Sequence, residues 1–456
     1  MAFFFLLCLV LGVFSTIINS IPTISVTGAK FFTSEGKQFF IKGVAYQLIE
    51  DDPLVDVDQC ERDATLMQEL GANTIRVYHI NETADHSGCM NAFASRGIYL
   101  FVDLDSFKTY ISYSGQPSWT EEKAASYRAV MDNFQQYDNT AETDSPAAPY
   151  LLAAAADMTK YRKAKGYRDI PVGYSATDTG ALRPMLQDYV ACRPDETERL
   201  DFYSVNTYSW CGAATEYQTS GYPALQALSQ DYPIPLWMSE DGCNTAPPRD
   251  FKDQNAVFGP DMIDTWSGAM IYEWIQEMNH YGLVSYGAQQ APDVTDGTRI
   301  VNGFTREGQP VPVQPDFDNL KQVWATISPT GVESAAYAAT FSAKLPQCPD
   351  YTADGWKVDA AAALPTLGAQ GVSSGMASGV PSGSITVTGI TNPSAAPTNG
   401  TGAGESGVNG TATPSSTSTA GAQSGAQGNA MIGGNYGLFG VLAAALAMGA
   451  SFVFFI

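Results

Sequence analysis

The segment Ile234-Pro-Leu-Trp-Met-Ser-Glu240 is an apolar run that ends in a carboxylate, and Asp241-Gly242-Cys243-Asn244 follows it. A glutamate that closes a strand beside a cysteine held in a bridge is a candidate catalytic carboxylate. Tyr78, Tyr208, Trp210, Tyr272, Trp274 and Tyr281 lie at or just past the ends of similar runs. Tyrosines there offer apolar faces to sugar rings and a hydroxyl for hydrogen bonding, whereas Trp210 and Trp274 read first as core packing. Carboxylates interleaved with aromatics point to carbohydrate chemistry. Cleaving a glycosidic bond with retention needs two carboxyl groups about 5–5.5 Å apart. One attacks the anomeric carbon; the other protonates the leaving oxygen and then activates the acceptor. Glu240 fits the first role. For the second, the chain offers an Asn-Glu pair only at Asn81-Glu82, and Asn81 heads a glycosylation sequon on a loop, which makes Glu82 a poor acid/base. Asp103, Asp105 and Glu273 are further acids at strand ends, with no positional argument for that role.

Such groups must be presented together, and a barrel presents them at the C-terminal ends of its strands. Short β-rich runs at 39–45, 73–78, 98–104, 170–175, 202–208, 234–240 and 269–274 alternate with apolar-periodic stretches at 60–70, 121–137, 149–163 and 222–230. This alternation implies βαβ units around a parallel sheet, and at this length an α/β fold of the (β/α)8 TIM-barrel type. The strand count, however, stops at seven. Two helical stretches follow one another across 138–148, Asp-Asn-Thr-Ala-Glu-Thr-Asp-Ser-Pro-Ala-Ala, which holds no apolar run for a buried strand. The fourth strand of the barrel is expected to be missing.

The 456 residues carry a formal net charge of −23, which argues against nucleic acid, whose phosphates need a basic face. Three histidines, His79, His86 and His280, have no paired metal spacing, so neither a metal nor another cofactor is expected. Residues 3–14 form an apolar core followed by small residues up to Ser20, the pattern of a signal peptide over 1–20. After Asp359 the only charged residue is Glu405, and the Ser/Thr/Gly/Pro-rich composition predicts a disordered, glycosylated stalk over 359–428. Small residues around Ser424 and Asn429, a short spacer and the apolar stretch from Gly437 read as a glycosylphosphatidylinositol (GPI) attachment propeptide over 429–456, with Ser424 or Asn429 as attachment residue. The foldable part is then a single domain over 21–358, monomeric and held at the outer face of the cell membrane. Sequons stand at Asn81, Asn399 and Asn409. Removing Cys8 with the signal leaves six cysteines, an even number that suits three disulfides among the 15 pairings allowed.

Several motifs, in order, resemble glycoside hydrolase family 72. They are Phe39-Phe-Ile-Lys-Gly-Val-Ala-Tyr-Gln47, Cys60-Glu-Arg-Asp63, Asn73-Thr-Ile-Arg-Val-Tyr78, Ser239-Glu-Asp-Gly-Cys-Asn244, Trp266-Ser-Gly268, Tyr272-Glu273 and His280-Tyr-Gly-Leu-Val284. The resemblance covers about residues 22–350 and is to the fungal, GPI-anchored 1,3-β-glucanosyltransferases of the cell wall. It implies a (β/α)8 domain that cleaves β-1,3-glucan internally and transfers the new reducing end to the non-reducing end of an acceptor glucan. By the same resemblance Glu240 is the nucleophile, and Tyr78, Asp178, Arg183 and Tyr272 contact glucan. Asp103, Asp105, Tyr208 and Tyr281 complete the candidate substrate-binding set from their strand ends. The implied bridges are Cys60–Cys89, Cys192–Cys348 and Cys211–Cys243. No cysteine-rich glucan-binding module follows Cys348, as in the short form of the family.

Three departures stand out. Asp241 replaces the family's usual tyrosine and sets a like charge beside the nucleophile, which raises its pKa only if the two side chains point together. Ile111-Ser-Tyr113 stands where Ile-Asn-Arg is common. The segment that ends in the Gly-Asn-Glu acid/base is absent after Asn139, and Glu142, the nearest carboxylate, has no strand to present it. The implied alternatives are a transferase and a glucan-binding pseudoenzyme without turnover.

Overall fold

The computed structural model describes residues 21–370 apart from 50, 107, 112–116, 136–142, 145–147, 179–181, 213, 215, 298 and 353–354, with backbone alone at 143–144 and 451–455. The expectations for the signal segment, for the stalk beyond residue 370, and for Glu142, Asn399, Asn409, Ser424 and Asn429 lie outside these residues.

Seven strands form the parallel sheet: β1 (Ile41–Ala45), β2 (Thr74–Val77), β3 (Tyr99–Val102), β4 (Val172–Thr177), β5 (Phe202–Asn206), β6 (Leu236–Asp241) and β7 (Trp266–Ile271). They run in the order β3-β2-β1-β7-β6-β5-β4, each neighbouring pair parallel. Every residue of β2, β3, β5, β6 and β7 is buried, as expected of strands covered on both faces, and this explains why they read as continuous apolar runs.

The connecting helices are α1 (Val57–Leu70), α2 (Ser87–Ala94), α3 (Glu121–Phe134), α4 (Ala148–Lys165), α5 (Arg183–Tyr189), α6 (Tyr222–Ala227), α7 (Asp253–Val257) and α8 (Asp316–Thr326). Asp56 caps α1 by accepting from the Gln59 amide, and Gly71 ends it at φ 93°, a left-handed conformation that glycine adopts readily. Thr120 caps α3 by accepting from the Lys123 amide. The short helices α2, α5 and α7 fall outside the apolar-periodic stretches of the sequence.

The gap falls where the sequence placed it. Helices α3 and α4 succeed one another, and among the described residues β3 and β4 share no parallel ladder. The C-terminal β8 (Ser451–Phe455) lies between them and runs antiparallel to both. Its register sets Phe454 opposite Val102 and Val172, and Ser451 opposite Ser175. The two-residue strand Thr143–Asp144 pairs with the start of β8. A buried amide or carbonyl left without such a partner would cost about 1–3 kcal/mol.

An antiparallel hairpin, Ile24–Thr27 with Lys30–Thr33, covers the N-terminal mouth. Its Phe31 is fully buried and meets Phe202 edge-on at 5.7 Å, and Phe101 and Trp237 stack above with centroids 4.1 Å apart. This aromatic plug closes one end of the barrel and leaves chemistry to the other. All three implied disulfides are formed, and Cys211–Cys243 ties the loop after β5 to the loop after β6.

Gly268 in β7 has φ 130°, and a Cβ there would lie 2.1 Å from the Ile41 carbonyl oxygen of β1. Gly268→Ala should therefore lower unfolding free energy by at least about 1–3 kcal/mol, read as a drop in denaturant midpoint.

Candidate active site

Strand β6 departs from regular pairing where the chemistry lies. Met238 sits opposite Val205, but Glu240 sits opposite Asn206, so Ser239 is an extra residue on this strand. The pairing with β7 shifts in the same stretch. A bulge of this kind re-aims a side chain. Here it turns Ser239 and Glu240 both toward the barrel interior and sends Asp241 outward to the helices.

Glu240 is fully buried. Its Oε1 accepts from the Tyr78 hydroxyl at 3.1 Å and its Oε2 from the Tyr208 hydroxyl at 3.0 Å. Nη1 of Arg76 lies 3.7 Å from Oε1. Burial pushes the Glu240 carboxyl up to about 7, against the pull of Arg76 and of the hydroxyls of Tyr208 and Tyr78. Burial and the nearby Glu240 charge push Tyr78 and Tyr208 well up, so both remain neutral donors.

Arg76 organises the layer beneath. Its Nε and Nη2 donate to Asp103 Oδ1 and Oδ2 at 3.1 and 2.9 Å, a two-pronged pair buried on both sides. Nη1 reaches Ser175, Asn206 and the Ser239 carbonyl at 3.3, 3.4 and 3.3 Å. Burial opposes its charge, but Asp103, Tyr78 and Glu240 together carry its pKa above the ordinary value. The guanidinium also lies under the Tyr78 ring, 4.4 Å from the centroid. Sequence reasoning places Arg76 inside a motif but assigns it no role. A lone arginine inside an apolar strand must be paired, and that was the available signal.

Tyr272 and Tyr281 complete an aromatic rim. The rings of Tyr208 and Tyr281 meet at 5.8 Å and those of Tyr272 and Tyr281 at 5.4 Å, both edge-on. Trp274 faces away, fully buried, its Nε1 donating to the Tyr286 hydroxyl at 2.8 Å, so it is core. Trp210 packs on Tyr222 with centroids 5.5 Å apart.

The other candidate residues divide. Asp103 has both oxygens committed to Arg76, and it supports the site from below instead of facing a ligand. Asp105 is buried just past β3. Asp178 pairs with Arg183 Nε at 2.7 Å and accepts from the Thr207 hydroxyl at 3.1 Å; Arg183 is buried and braces Asp178. Glu82 lies in the turn before α2, where its carbonyl accepts from Asn133. Glu273 is buried beyond β7 and accepts from Asn279 Nδ2 at 2.6 Å. Burial first, then Glu277, push its carboxyl well above the ordinary range. Asp241 does not share the Glu240 environment: it accepts from Tyr222 of α6 and Gln254 of α7. The two adjacent carboxyls point apart.

Two tests follow from this geometry. Tyr78→Phe and Tyr208→Phe each remove one hydrogen bond to the Glu240 carboxylate, so each should raise its titration midpoint further above 7, read by carboxyl-carbon NMR. Arg76→Ala leaves Asp103 buried without its partner and should lower unfolding free energy by about 3–5 kcal/mol in denaturant melts.

A family model described as glucanosyltransferase, glycoside hydrolase family 72, matches residues 13–305. Among similar proteins, the 1,3-beta-glucanosyltransferase gas2 of Schizosaccharomyces pombe is 36% identical over 363 residues, covering 74% of this chain and 74% of that protein. The 1,3-beta-glucanosyltransferase PGA5 of Candida albicans is 36% identical over 347 residues, covering 68% of this chain and 51% of that protein. A solved structure of Saccharomyces cerevisiae Gas2p, a glutamate-to-glutamine variant in complex with laminaritetraose and laminaripentaose, superposes with a TM-score of 0.65 at 33% identity, covering 76% of this chain and 75% of that one. With the barrel and the Glu240 constellation in place, the chain belongs to the glucanosyltransferase family, glycoside hydrolase family 72.

Proposed function

We propose that the protein is a 1,3-β-glucanosyltransferase in which Glu240 attacks the anomeric carbon of a β-1,3-glucan donor. The observation that carries this reading is one buried carboxylate held by two tyrosine hydroxyls over a buried arginine, inside a rim of aromatic rings. The nucleophile must be ionised. Arg76 and the two hydroxyls favour the charged form, and a sugar ring seated on Tyr208, Tyr272 and Tyr281 would exclude water from it. Attack breaks the bond to the leaving glucan, whose oxygen must gain a proton, and the acceptor's hydroxyl must lose one as its oxygen displaces Glu240 with retained configuration; both transfers call for a second carboxyl. Asp178 and Arg183 shape the adjoining wall.

The second carboxyl defines the alternative. In the family resemblance it stands at the end of the fourth barrel strand. Here, among the described residues, no parallel strand stands between β3 and β4 to present such a carboxyl. This observation favours a second reading, a protein that binds glucan in the same cleft without turning it over.

The remaining proposals rest on sequence. They are a signal segment over 1–20, a glycosylated stalk over 359–428, and a GPI anchor at Ser424 or Asn429 that places a monomeric catalytic domain at the outer face of the cell membrane, within the wall. Asn81 is exposed, which suits glycosylation there. Anchor attachment at either residue would remove β8 and with it the pairing across the β3–β4 gap.

Reduced laminari-oligosaccharides incubated with the secreted protein should yield longer chains, and Glu240→Gln should lower that transfer by roughly 10³-fold or more while binding persists. Intact oligosaccharide with saturable binding would select the second reading. Neither products nor binding would contradict both.

A further inference from the structure

Behind Glu240, on the outer face of β6, a second pair of carboxyls is buried: Asp241 and Asp253 are 1% and 5% exposed. Both converge on one nitrogen. Gln254 Nε2 donates to Asp241 Oδ2 at 2.8 Å and to Asp253 Oδ2 at 2.7 Å. The orientation of that amide is fixed from α8, where Trp324 Nε1 donates to Gln254 Oε1 at 3.1 Å. Asp241 Oδ1 is in turn filled by the Tyr222 hydroxyl at 2.9 Å and the Gly242 amide at 2.8 Å.

Among the described residues, the charged and titratable groups around the pair are few. From α6 comes only Tyr222, which is neutral. The loop between β6 and α7 brings Arg249, but its Nη1 and Nη2 donate to the Tyr281 and Tyr272 carbonyls at 2.6 and 2.9 Å. From the start of α8, Asp316 accepts from the Arg249 amide at 3.2 Å, which adds negative and not positive charge. Glu240 lies on the opposite face of the strand. The Arg249 charge attracts Asp253 and so offsets one negative charge, but two ionised carboxylates crowded on one amide still repel strongly in a buried setting.

We infer that Asp241 and Asp253 hold one proton between them and act as a positioning pair, bolting the end of β6 to α6 and α7 so that the neighbouring Glu240 keeps its aim. Burial, then the Asp253 charge, push the Asp241 carboxyl well up, and burial pushes Asp253 up as well. A carboxyl raised by folding contributes stability that is present at low pH and is lost as pH rises through its folded value. The pair's hold on the strand that carries the nucleophile thus weakens as pH rises. That effect is separate from Glu240 itself, whose ionisation assists attack.

The test compares the full-length secreted protein with Asp241→Asn, Asp253→Asn and Glu240→Gln across pH 5 to 9, reading thermal midpoint and affinity for laminari-oligosaccharide. The amide introduced by Asp241→Asn keeps the size of the side chain and cannot ionise. As pH rises from 5 the wild-type midpoint should fall by roughly 3–6 °C, with affinity falling alongside. Asp241→Asn should make both declines shallower, leaving the part that Glu240 and Glu273 contribute, whereas Glu240→Gln should remove only its own part of the midpoint decline. Asp253→Asn serves as the second variant if Asp241→Asn does not fold, and it should flatten the midpoint profile in the same way. Declines in both asparagine variants parallel to wild type would overturn the shared proton. The midpoint profile decides this even if no oligosaccharide binds, an outcome that would count against the glucan cleft and not against the pair.

Discussion

The site is built around one buried cation. Arg76 could not be placed at the centre of an apolar barrel without compensation, and the structure surrounds it with Asp103 as a two-pronged partner, Glu240 at 3.7 Å, and a ring of small polar groups from Ser175, Asn206 and Ser239. This one constraint selects the residue types at the strand ends of β3, β4, β5 and β6. It also divides the labour between the two acids nearest to it. Asp103, saturated by the guanidinium, is a fixed counter-ion. Glu240, at longer range, is held instead by two tyrosine hydroxyls, one on each oxygen. The balance between its burial and the Arg76 charge sets how readily it ionises.

The same geometry resolves the like-charge question raised by Asp241. In a regular strand adjacent side chains alternate, so Ser239 and Asp241 would share a face and Glu240 would take the other. The bulge breaks that rule once, at Ser239, which lets Ser239 join the Arg76 layer while Glu240 stands above it and Asp241 is sent to the helices. A carboxylate that looks like a competitor in the sequence therefore belongs to another layer, with other partners.

Much of this architecture was legible in the residues. Seven parallel strands announce themselves as short β-rich runs, and the structure sets their boundaries within a few residues of those runs. The gap at the fourth position was visible because the linker between α3 and α4 lacks any run able to line a barrel. Glu240, Tyr78, Tyr208, Tyr272 and Tyr281 converge as strand-end residues should. What the sequence could not show depends on tertiary contacts. Commitment of Asp103 to Arg76 and of Arg183 to Asp178 requires knowing which strand ends meet. The bulge depends on pairing register across β5, β6 and β7, which no local pattern encodes. The pairing of β8 with β3 and β4 is likewise invisible: an apolar C-terminal stretch reads as a membrane-directed segment, and its backbone complementarity to two strand edges appears only once those edges exist.

The central claim is that Glu240, as placed by the bulge over Arg76, forms a bond to the sugar. Trapping tests it most directly, because a fluoride leaving group needs little help from an acid and so does not depend on the second carboxyl. The protein should be incubated with a 2-deoxy-2-fluoro-laminaribiosyl fluoride and digested, and the adduct mapped by mass spectrometry. The account predicts one sugar per chain, attached to Glu240 and absent in Glu240→Gln. An adduct on another carboxylate, or none despite saturating occupancy of the cleft, would contradict it.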